Sequence, residues 1–404
     1  MAKGKRITRR QALLLGFGTF ASVSALPLMN KLKDLNNQFE TIQAALAAEN
    51  RDFTVVGSTA LRSRAAAKKL IYGVASQQSI MSSDKQFALA IAQESTMLVA
   101  EANLLWSFLR PTPDSYDFAG GDWMAEFART HKMLFAGTHL VWHDAMPDWF
   151  EETVNNQNAE QLLLDHIKTV AGHYAGKIHS WTVVNEAVKP EDGRSDGLRN
   201  TTWLKFLGPD YIEMAFRAAA QADPNALLIY NDTGLEYDKP DDQARRTAVL
   251  KLLERLKSRN TPVHALGIQA HVWKDNRFDP KKLQAFMRDV ANLGLKILIT
   301  EMDVSDPDPN GNTVIRDRII AGFYEDYLSA VLNEPAVIAV STWGLSDKYT
   351  WLKKDDRQIR PLPLDSDMHR KLAWNAIART FDNTIKRRSS SKLWTAWKKL
   401  SASS

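Results

Sequence analysis

Short strand-like runs alternate with helical patterns along most of this chain, and this alternation restricts the available folds more than any other feature. The eight runs are 71–75, 97–102, 133–143, 180–188, 227–232, 265–272, 296–304 and 337–345. Helical patterns lie between and after them at 122–132, 159–176, 211–223, 243–259 and 368–383. Strands alternating with helices form a parallel sheet, and a count of eight favours a closed barrel over a doubly wound sheet. We therefore predict an α/β fold, a (β/α)8 TIM barrel forming one domain over residues 52–383.

The charges are unevenly distributed along the chain. The 404 residues carry a net charge of +5, from 52 basic and 47 acidic side chains. Five basic side chains lie in residues 1–10 and six in residues 386–404, which leaves 41 basic against 47 acidic groups between those ends. A nucleic-acid-binding body needs clustered positive charge to neutralise phosphates. The acidic body therefore argues against a nucleic-acid partner.

The amino terminus has the layout of a bacterial export signal. A basic start containing Arg9 and Arg10 precedes an apolar run from Ala12 to Val23 and a small-residue step ending at Ala25. The paired arginines resemble the twin-arginine type, so we predict an export signal over 1–25 and a periplasmic or extracellular location. An uncleaved surface helix is the alternative. Residues 26–51 then read as a helical linker or arm, and the absence of cysteine fits either an exported or a cytosolic protein.

Residues 384–404 form a basic tail after the last helical pattern. Leu393, Trp394, Trp397 and Leu400 make an apolar stripe among lysines. A basic amphipathic segment of this kind can rest on an anionic membrane or envelope surface, so residues 386–404 are a candidate contact. A disordered tail, or one packed back on the barrel, is the alternative.

Polar and aromatic side chains recur at the ends of the strand-like runs. Glu186 ends the fourth run, and Glu301 and Asp303 end the seventh. In a barrel the loops after the strand carboxyl ends form the active face, so these side chains are expected to meet there. Other residues at such positions are Thr138, His139, Trp142, His143, Gln269, His271, Trp273, Trp343 and Trp351.

Two glutamates, amide and imidazole donors and a rim of tryptophans are typical of a carbohydrate site. Glycoside cleavage needs one carboxylic acid for the departing oxygen and one carboxylate for the anomeric carbon. Indole faces suit the apolar faces of sugar rings. The alternatives are a structural carboxylate at Glu186 and a plain core histidine at His271. No metal or other cofactor is expected, because His139, His143 and His271 lack a metal-binding spacing.

Several stretches resemble the signatures of glycoside hydrolase family 10, whose typical members are endo-1,4-β-xylanases. They run in family order from about Leu61 to Phe381. The stretches are LRPTPDSYDF (109–118), LVWHDAMPDW (140–149), WTVVNEAV, YNDTGLE (230–236), GIQAHVW, ILITEMDVS, TWGLSDKYTWL and RPLPLD.

The resemblance implies a role for each matching residue. Glu186 falls on the acid/base and Glu301 on the nucleophile of a family that retains anomeric configuration, which predicts carboxyl groups about 5–5.5 Å apart. Asn185 falls on the donor to the sugar 2-hydroxyl, His271 on the imidazole beside the nucleophile, and Asp303 on the carboxylate that orients this imidazole. Further substrate contacts are implied for Glu101, Trp142, Gln269, Trp343 and Trp351.

The sequence departs from the family pattern after the second strand. The usual Glu-Asn-x-Met-Lys-Trp reads Glu101-Ala102-Asn103-Leu104-Leu105-Trp106 here. Ala102 replaces an asparagine, and Leu105 replaces a lysine that contacts hydroxyls on the non-reducing side of the substrate. Polar contacts to that part of the sugar are therefore expected to be lost.

A second departure concerns the third strand. The family's Gly-His-Thr appears as Gly137-Thr138-His139, with the histidine and threonine exchanged. Neighbouring strand residues face opposite sides. His139 is therefore predicted to point away from the site unless a bulge re-aims it. Thr233 also replaces the aromatic residue usual after YND.

Two functions follow from these patterns. The first is a retaining, endo-acting glycoside hydrolase that cleaves β-1,4-xylan-type polysaccharide as a monomer. The second is a glycan-binding or envelope-associated protein on a degenerate barrel, with weak or altered hydrolysis. Both need the carbohydrate site, and they differ in whether Glu301 supports turnover.

Overall fold

The computed structural model describes residues 51–273, 278–306, 311–353 and 358–387. The predicted export signal over 1–25, residues 26–50 of the predicted arm and residues 388–404 of the tail lie outside them. Those three interpretations therefore stay predictions.

Nine strands form one sheet, and eight of them close the barrel. They are β1 Ile71–Ser76, β2 Met97–Ala100, β3 Leu134–Gly137, β4 Ser180–Asn185, β5 Leu227–Asp232, β6 Ala265–Ile268, β7 His271–Val272, β8 Lys296–Val304 and β9 Val337–Thr342. Each named strand pairing is parallel, and β1 pairs with both β2 and β9. Every one of the eight barrel strands thus has a neighbour on both sides. The predicted (β/α)8 barrel is confirmed.

Thirteen α-helices accompany the strands within the described residues. They are α1 Leu61–Ala67, α2 Gln78–Ser83, α3 Lys85–Glu94, α4 Trp106–Leu109, α5 Ala119–Thr130, α6 Trp149–Thr153, α7 Ala159–His173, α8 Thr202–Leu207, α9 Tyr211–Ala222, α10 Pro240–Ser258, α11 Pro280–Asn292, α12 Thr313–Val331 and α13 Leu372–Asn383. Two of the longer ones begin at side-chain caps. Asp279 accepts a hydrogen bond from the Lys281 amide at 2.8 Å, and Asn312 accepts one from the Val314 amide at 2.9 Å.

The sixth predicted strand, 265–272, is split into β6 and β7. Its break falls at Gln269 and Ala270, and Ala270 has a left-handed backbone with φ of 64°. The buried carboxylate of Glu236 accepts a hydrogen bond from the Ala270 amide at 2.7 Å. This bond holds a conformation that is costly for a residue with a side chain. The turn changes the direction of the chain, and β7 consequently pairs only with the end of β8.

Alternation along the strands divides the apolar side chains between two regions. In β1, Ile71 and Ala75 face the barrel interior, whereas Tyr72 and Val74 face the surrounding helices. Burying each large aliphatic side chain contributes about 1.5–3 kcal/mol. A β-carbon at Gly73 would lie 2.4 Å from Ser341 Oγ, so a larger residue does not fit this part of the interior. The filled interior leaves the polar strand ends as the accessible part of the barrel.

The described start of the tail packs against the barrel. Arg387 is buried, and its guanidinium donates to the carbonyls of Val337 at 3.0 Å and Leu332 at 2.7 Å. Its charge therefore faces the protein rather than a membrane surface. Among the described helices, none combines the length and apolar character needed to span a membrane.

Candidate active site

Glu186 follows β4 in a left-handed backbone conformation, with φ of 53°. Its amide donates to the carbonyl of Asn231 at 2.9 Å, and its carbonyl accepts from Arg199 Nε at 2.7 Å. Such a conformation is uncommon for a residue with a side chain and persists where surrounding contacts determine it. The backbone of Glu186 is therefore fixed by hydrogen bonds at both its amide and its carbonyl.

Three donors lie at the Glu186 carboxylate. Gln269 Nε2 donates to Oε1 at 2.9 Å and Asn185 Nδ2 at 3.3 Å, while an Arg199 NH2 group lies 3.5 Å from Oε2. The side chain keeps 16% of its surface exposed. It is thus fixed in direction yet open to a ligand in the cleft.

Glu301 lies within β8 and is almost fully buried. Asn231 Nδ2 donates to its Oε1 at 2.8 Å, and His271 Nε2 lies 3.4 Å from its Oε2. Its amide donates to the carbonyl of Gln269 at 3.0 Å. These contacts fix the direction of both carboxylate oxygens.

His271 is held between two carboxylates. Its Nδ1 lies 3.0 Å from Asp303 Oδ1, and Trp351 Nε1 donates to Asp303 Oδ2 at 2.6 Å. Burial lowers the pKa of His271, but the charges and hydrogen bonds of Asp303 and Glu301 outweigh it and raise this pKa well above its usual value. The two carboxylates thus favour the protonated imidazole, and Asp303 contacts the ring nitrogen that faces away from Glu301.

Three amide side chains connect the two glutamates. Asn231 Nδ2 donates to Asn185 Oδ1 at 2.8 Å as well as to Glu301, and Gln269 Nε2 lies 3.3 Å from Asn185 Oδ1. This continuous network brings the ends of β4, β5, β6 and β8 together. Movement of either carboxylate would break bonds that position the other.

Sequence reasoning missed Asn231 and Glu236 as residues of the site. Asn231 pairs in register with Asn185, which places its buried amide between the two glutamates. Glu236 forms a hydrogen bond with neither glutamate of the pair. Its carboxylate instead accepts a hydrogen bond from Ala270, which stabilises the turn between Gln269 and His271. Both residues lie in the stretch YNDTGLE at the end of the fifth strand. Their roles could not be predicted from it, because they depend on how this strand pairs with its neighbours.

His139 faces the site, because the bulge that forms the exception to its predicted orientation is present. Its Nε2 lies 4.0 Å from Glu301 Oε1. Between Gly137 and Val141 the third strand advances four residues while β4 advances three, from Trp181 to Val184. This extra residue is a bulge, and it re-aims the side chains that follow it. Burial lowers the pKa of His139 despite the opposing charges of Glu301 and Glu186, which favours the neutral ring.

Thr138 and Glu101 complete this side of the site. The Thr138 hydroxyl donates to the Ala100 carbonyl. Glu101 Oε1 accepts from Gln77 Nε2 at 2.9 Å. Burial raises the pKa of Glu101; the hydrogen bond from Gln77 opposes this rise, and the charge of Glu301 makes a smaller contribution that adds to it. Glu101 therefore lies within electrostatic reach of the buried glutamate.

The predicted aromatic walls surround His271 and His139. The His271 ring centroid lies 5.1 Å from that of Trp351 and 6.4 Å from that of Trp343. The Trp142 ring lies 5.2 Å from that of His139. Trp351 is 48% exposed, which leaves one indole available to a sugar ring.

Ala102 and Leu105, the two departures after the second strand, meet in space. Together with Ala145 they form a small apolar cluster against Trp142, separate from the main core. We call Ala102, Leu105 and Ala145 the apolar wall. Each keeps 8% of its surface exposed. Thr233 lies outside this wall, and its amide donates to Asp232 Oδ1 at 2.9 Å.

In the described part of the chain, one group of side chains has metal-ligand spacing. It comprises Asp365, Asp367 and His369, whose potential ligand atoms lie within 4.8 Å of one another. Asp365 Oδ1 already accepts from the Asp367 and His369 amides at 2.9 and 2.8 Å. This turn is separate in sequence from the strand ends that carry Glu186 and Glu301.

A sequence profile of glycosyl hydrolase family 10 matches residues 60–380. The chain belongs to this family. It is 34% identical over 292 residues to a β-1,4-xylanase of Dictyoglomus thermophilum, covering 69% of this chain and 80% of the relative. It is also 34% identical over 289 residues to endo-1,4-β-xylanase A of Caldicellulosiruptor sp. (strain Rt8B.4), covering 67% of this chain but 40% of that longer relative.

The fold agrees with that of solved family members. Native xylanase 10B from Thermotoga maritima matches with a TM-score of 0.73 and 31% identity, over 80% of this chain and 98% of that protein. The protein is therefore an endo-1,4-β-xylanase-like glycoside hydrolase of family 10, and its strand ends carry the two glutamates.

The pairing of His271 with Asp303 predicts a measurable titration. In the Asp303→Asn variant the pKa of His271 should fall, because the largest contribution that raises it is removed. The imidazole proton resonances, followed by NMR between pH 4 and about 9, report this change. His264, whose pKa is lowered by burial and Lys257, serves as an internal control and should not move. An unchanged His271 titration would contradict the assigned pairing.

Proposed function

We propose that this family 10 hydrolase cleaves β-1,4-xylan within the chain and retains the configuration of the anomeric carbon. The observation that carries this proposal is the amide network joining Glu186 to Glu301 through Asn185, Asn231 and Gln269. Retention requires two carboxyl groups about 5–5.5 Å apart, and the short amide links between the two glutamates favour such a short separation. The xylanase names of the relatives support the choice of xylan.

In the first step Glu301 attacks the anomeric carbon while Glu186 protonates the departing oxygen. The attacking carboxylate must be ionised, and His271, whose Nε2 lies 3.4 Å from the second oxygen of Glu301, stabilises that state. The bond to the leaving sugar breaks as the bond to Glu301 forms. Glu186 is left as a carboxylate, and the sugar is left as an ester on Glu301.

In the second step the ionised Glu186 removes a proton from water, which attacks the same carbon. Glu301 departs as a carboxylate, and the product regains its original configuration. Asn231 and His271 hold the leaving carboxylate in place. We assign Asn185, at the Glu186 end of the network, to the sugar 2-hydroxyl, as the family resemblance implies.

Xylan hydrolysis tests this function directly. The full-length protein should release reducing ends from β-1,4-xylan, with a rapid fall in polymer length that distinguishes internal cleavage from release at chain ends. Size-exclusion chromatography alongside a reducing-end assay measures both. A matched β-1,4-mannan and a β-1,4-glucan serve as controls. Faster turnover of either control would contradict the assignment of xylan.

The apolar wall favours a second candidate, which is glycan binding with little hydrolysis. Leu105 and Ala102 remove polar groups from one side of the site while Glu186 and Glu301 are kept. A binding protein would retain xylo-oligosaccharides, measured by calorimetry, without releasing reducing ends above the rate of the Glu301→Ala variant. That outcome would replace the hydrolytic proposal.

A further inference from the structure

The apolar wall lies close to the reacting groups. It packs against Trp142, whose ring centroid is 5.2 Å from that of His139, and His139 Nε2 is 4.0 Å from Glu301 Oε1. A sugar bound beside Glu301 therefore lies near the apolar wall. The resemblance places this region on the non-reducing side of the bond that is cleaved.

The wall arises from one local structure rather than from scattered changes. The Leu105 amide donates to the Ala102 carbonyl at 3.0 Å in the turn after β2, and the Ser107 amide donates to the Ala145 carbonyl at 3.2 Å. These bonds hold Ala102, Leu105 and Ala145 together. Two family positions that bear an amide and an ammonium group have thus become one methyl-rich surface.

The chemistry of the wall disfavours a bare sugar hydroxyl. Its three side chains offer neither charge nor hydrogen-bonding group, and the adjacent Trp142 Nε1 is buried without a partner in the described structure. A hydroxyl facing this surface loses its water and gains no replacement bond. A methyl group in the same place gains contact with Leu105 and the two alanines.

We propose that the non-reducing side of this site takes a xylosyl residue whose 3-hydroxyl carries a small acyl ester such as acetate, which leaves the 2-hydroxyl free to meet Asn185. The ester removes the hydroxyl donor and places its methyl group on the apolar wall. The ester bond itself is not cleaved, and the glycosidic reaction is that of the preceding section. This inference rests on the proposed hydrolysis and adds the form of the substrate.

Xylotetraose and its mono-3-O-acetyl derivatives provide the test. The full-length protein should cleave the acetylated tetrasaccharide with a kcat/KM about five- to tenfold higher, the effect of relieving about one unpaired hydroxyl. Mass spectrometry of the products should find the acetyl group on the non-reducing fragment. Leu105→Lys should reverse the preference, whereas the matched Leu105→Met variant should keep it. Ala102→Asn provides a second polar substitution if Leu105→Lys fails to fold.

The outcomes separate this inference from the proposed function. Equal or slower cleavage of the acetylated substrate overturns the inference alone, as does an unchanged preference in both polar variants. Cleavage of neither tetrasaccharide above the Glu301→Ala rate overturns the proposed hydrolysis, and the inference with it. Faster cleavage that leaves the acetyl group on the reducing fragment also overturns the assignment to the wall.

Discussion

Replacement of Glu301 by alanine should lower the kcat for an aryl β-xylobioside by at least about ten-thousand-fold. Glu301 supplies the attacking oxygen, and no other carboxylate replaces it when it is removed. Dye release from the full-length protein measures the rate. The KM for substrate should change far less, because Asn185, Gln269 and the tryptophans remain.

A surface glutamate provides the matched control for this variant. Glu254 is exposed on α10, and Glu254→Ala should retain the activity of the unaltered protein. Circular dichroism and thermal unfolding check that Glu301→Ala is folded, since the substitution leaves Asn231 and His271 without their carboxylate partner. Equal rates for Glu301→Ala and the unaltered protein would defeat the enzymatic role of Glu301.

Replacement of Glu186 by alanine should lower xylan hydrolysis by about 10²–10⁴-fold, the usual contribution of a general acid. A dinitrophenyl leaving group needs no proton, so the step that forms the glycosyl-enzyme should be nearly unaffected with a dinitrophenyl β-xylobioside. The second step lacks its base and becomes slow. Stopped-flow release of dinitrophenol should therefore display a fast burst followed by slow turnover.

Azide distinguishes this role from simple structural damage. A small anion that enters the space left by Glu186→Ala needs no general base, so it should speed turnover of the dinitrophenyl substrate and yield a β-xylobiosyl azide. Glu254→Ala should give no azide product. A uniform loss of rate on xylan and on the dinitrophenyl substrate, without rescue, would contradict the acid/base assignment.

Periodicity and residue type predict the architecture well. The eight strand-like runs correspond to the eight barrel strands, because they are rich in apolar and β-branched residues and five of them are followed by helical spacing. The strand ends are less well predicted: 133–143 contracts to Leu134–Gly137, and 180–188 contracts to Ser180–Asn185. Backbone pairing ends where the loops of the active face begin, and composition does not mark this point.

Site residues can be predicted from sequence where their role depends only on lying at a strand end. They are missed where the role depends on the pairing register between two strands. Glu186 and Glu301 follow from their positions at strand ends. His139 does not, because one extra residue before Val141 reverses the direction of its side chain. Asn231 gains its role only through pairing with Asn185, and Ala270 only through the contact with Glu236. Contacts between distant segments decide each of these cases.

Trapping of the glycosyl-enzyme tests the central claim most directly. A dinitrophenyl 2-deoxy-2-fluoro-β-xylobioside forms the ester quickly and hydrolyses it slowly, because fluorine destabilises the oxocarbenium-like transition states while the leaving group favours the first step. After proteolysis, mass spectrometry should find one fluoroxylobiosyl group on the peptide containing ILITEMDVS, attached to Glu301. A label on another residue, or stoichiometric dye release with no label, would contradict the proposed double displacement.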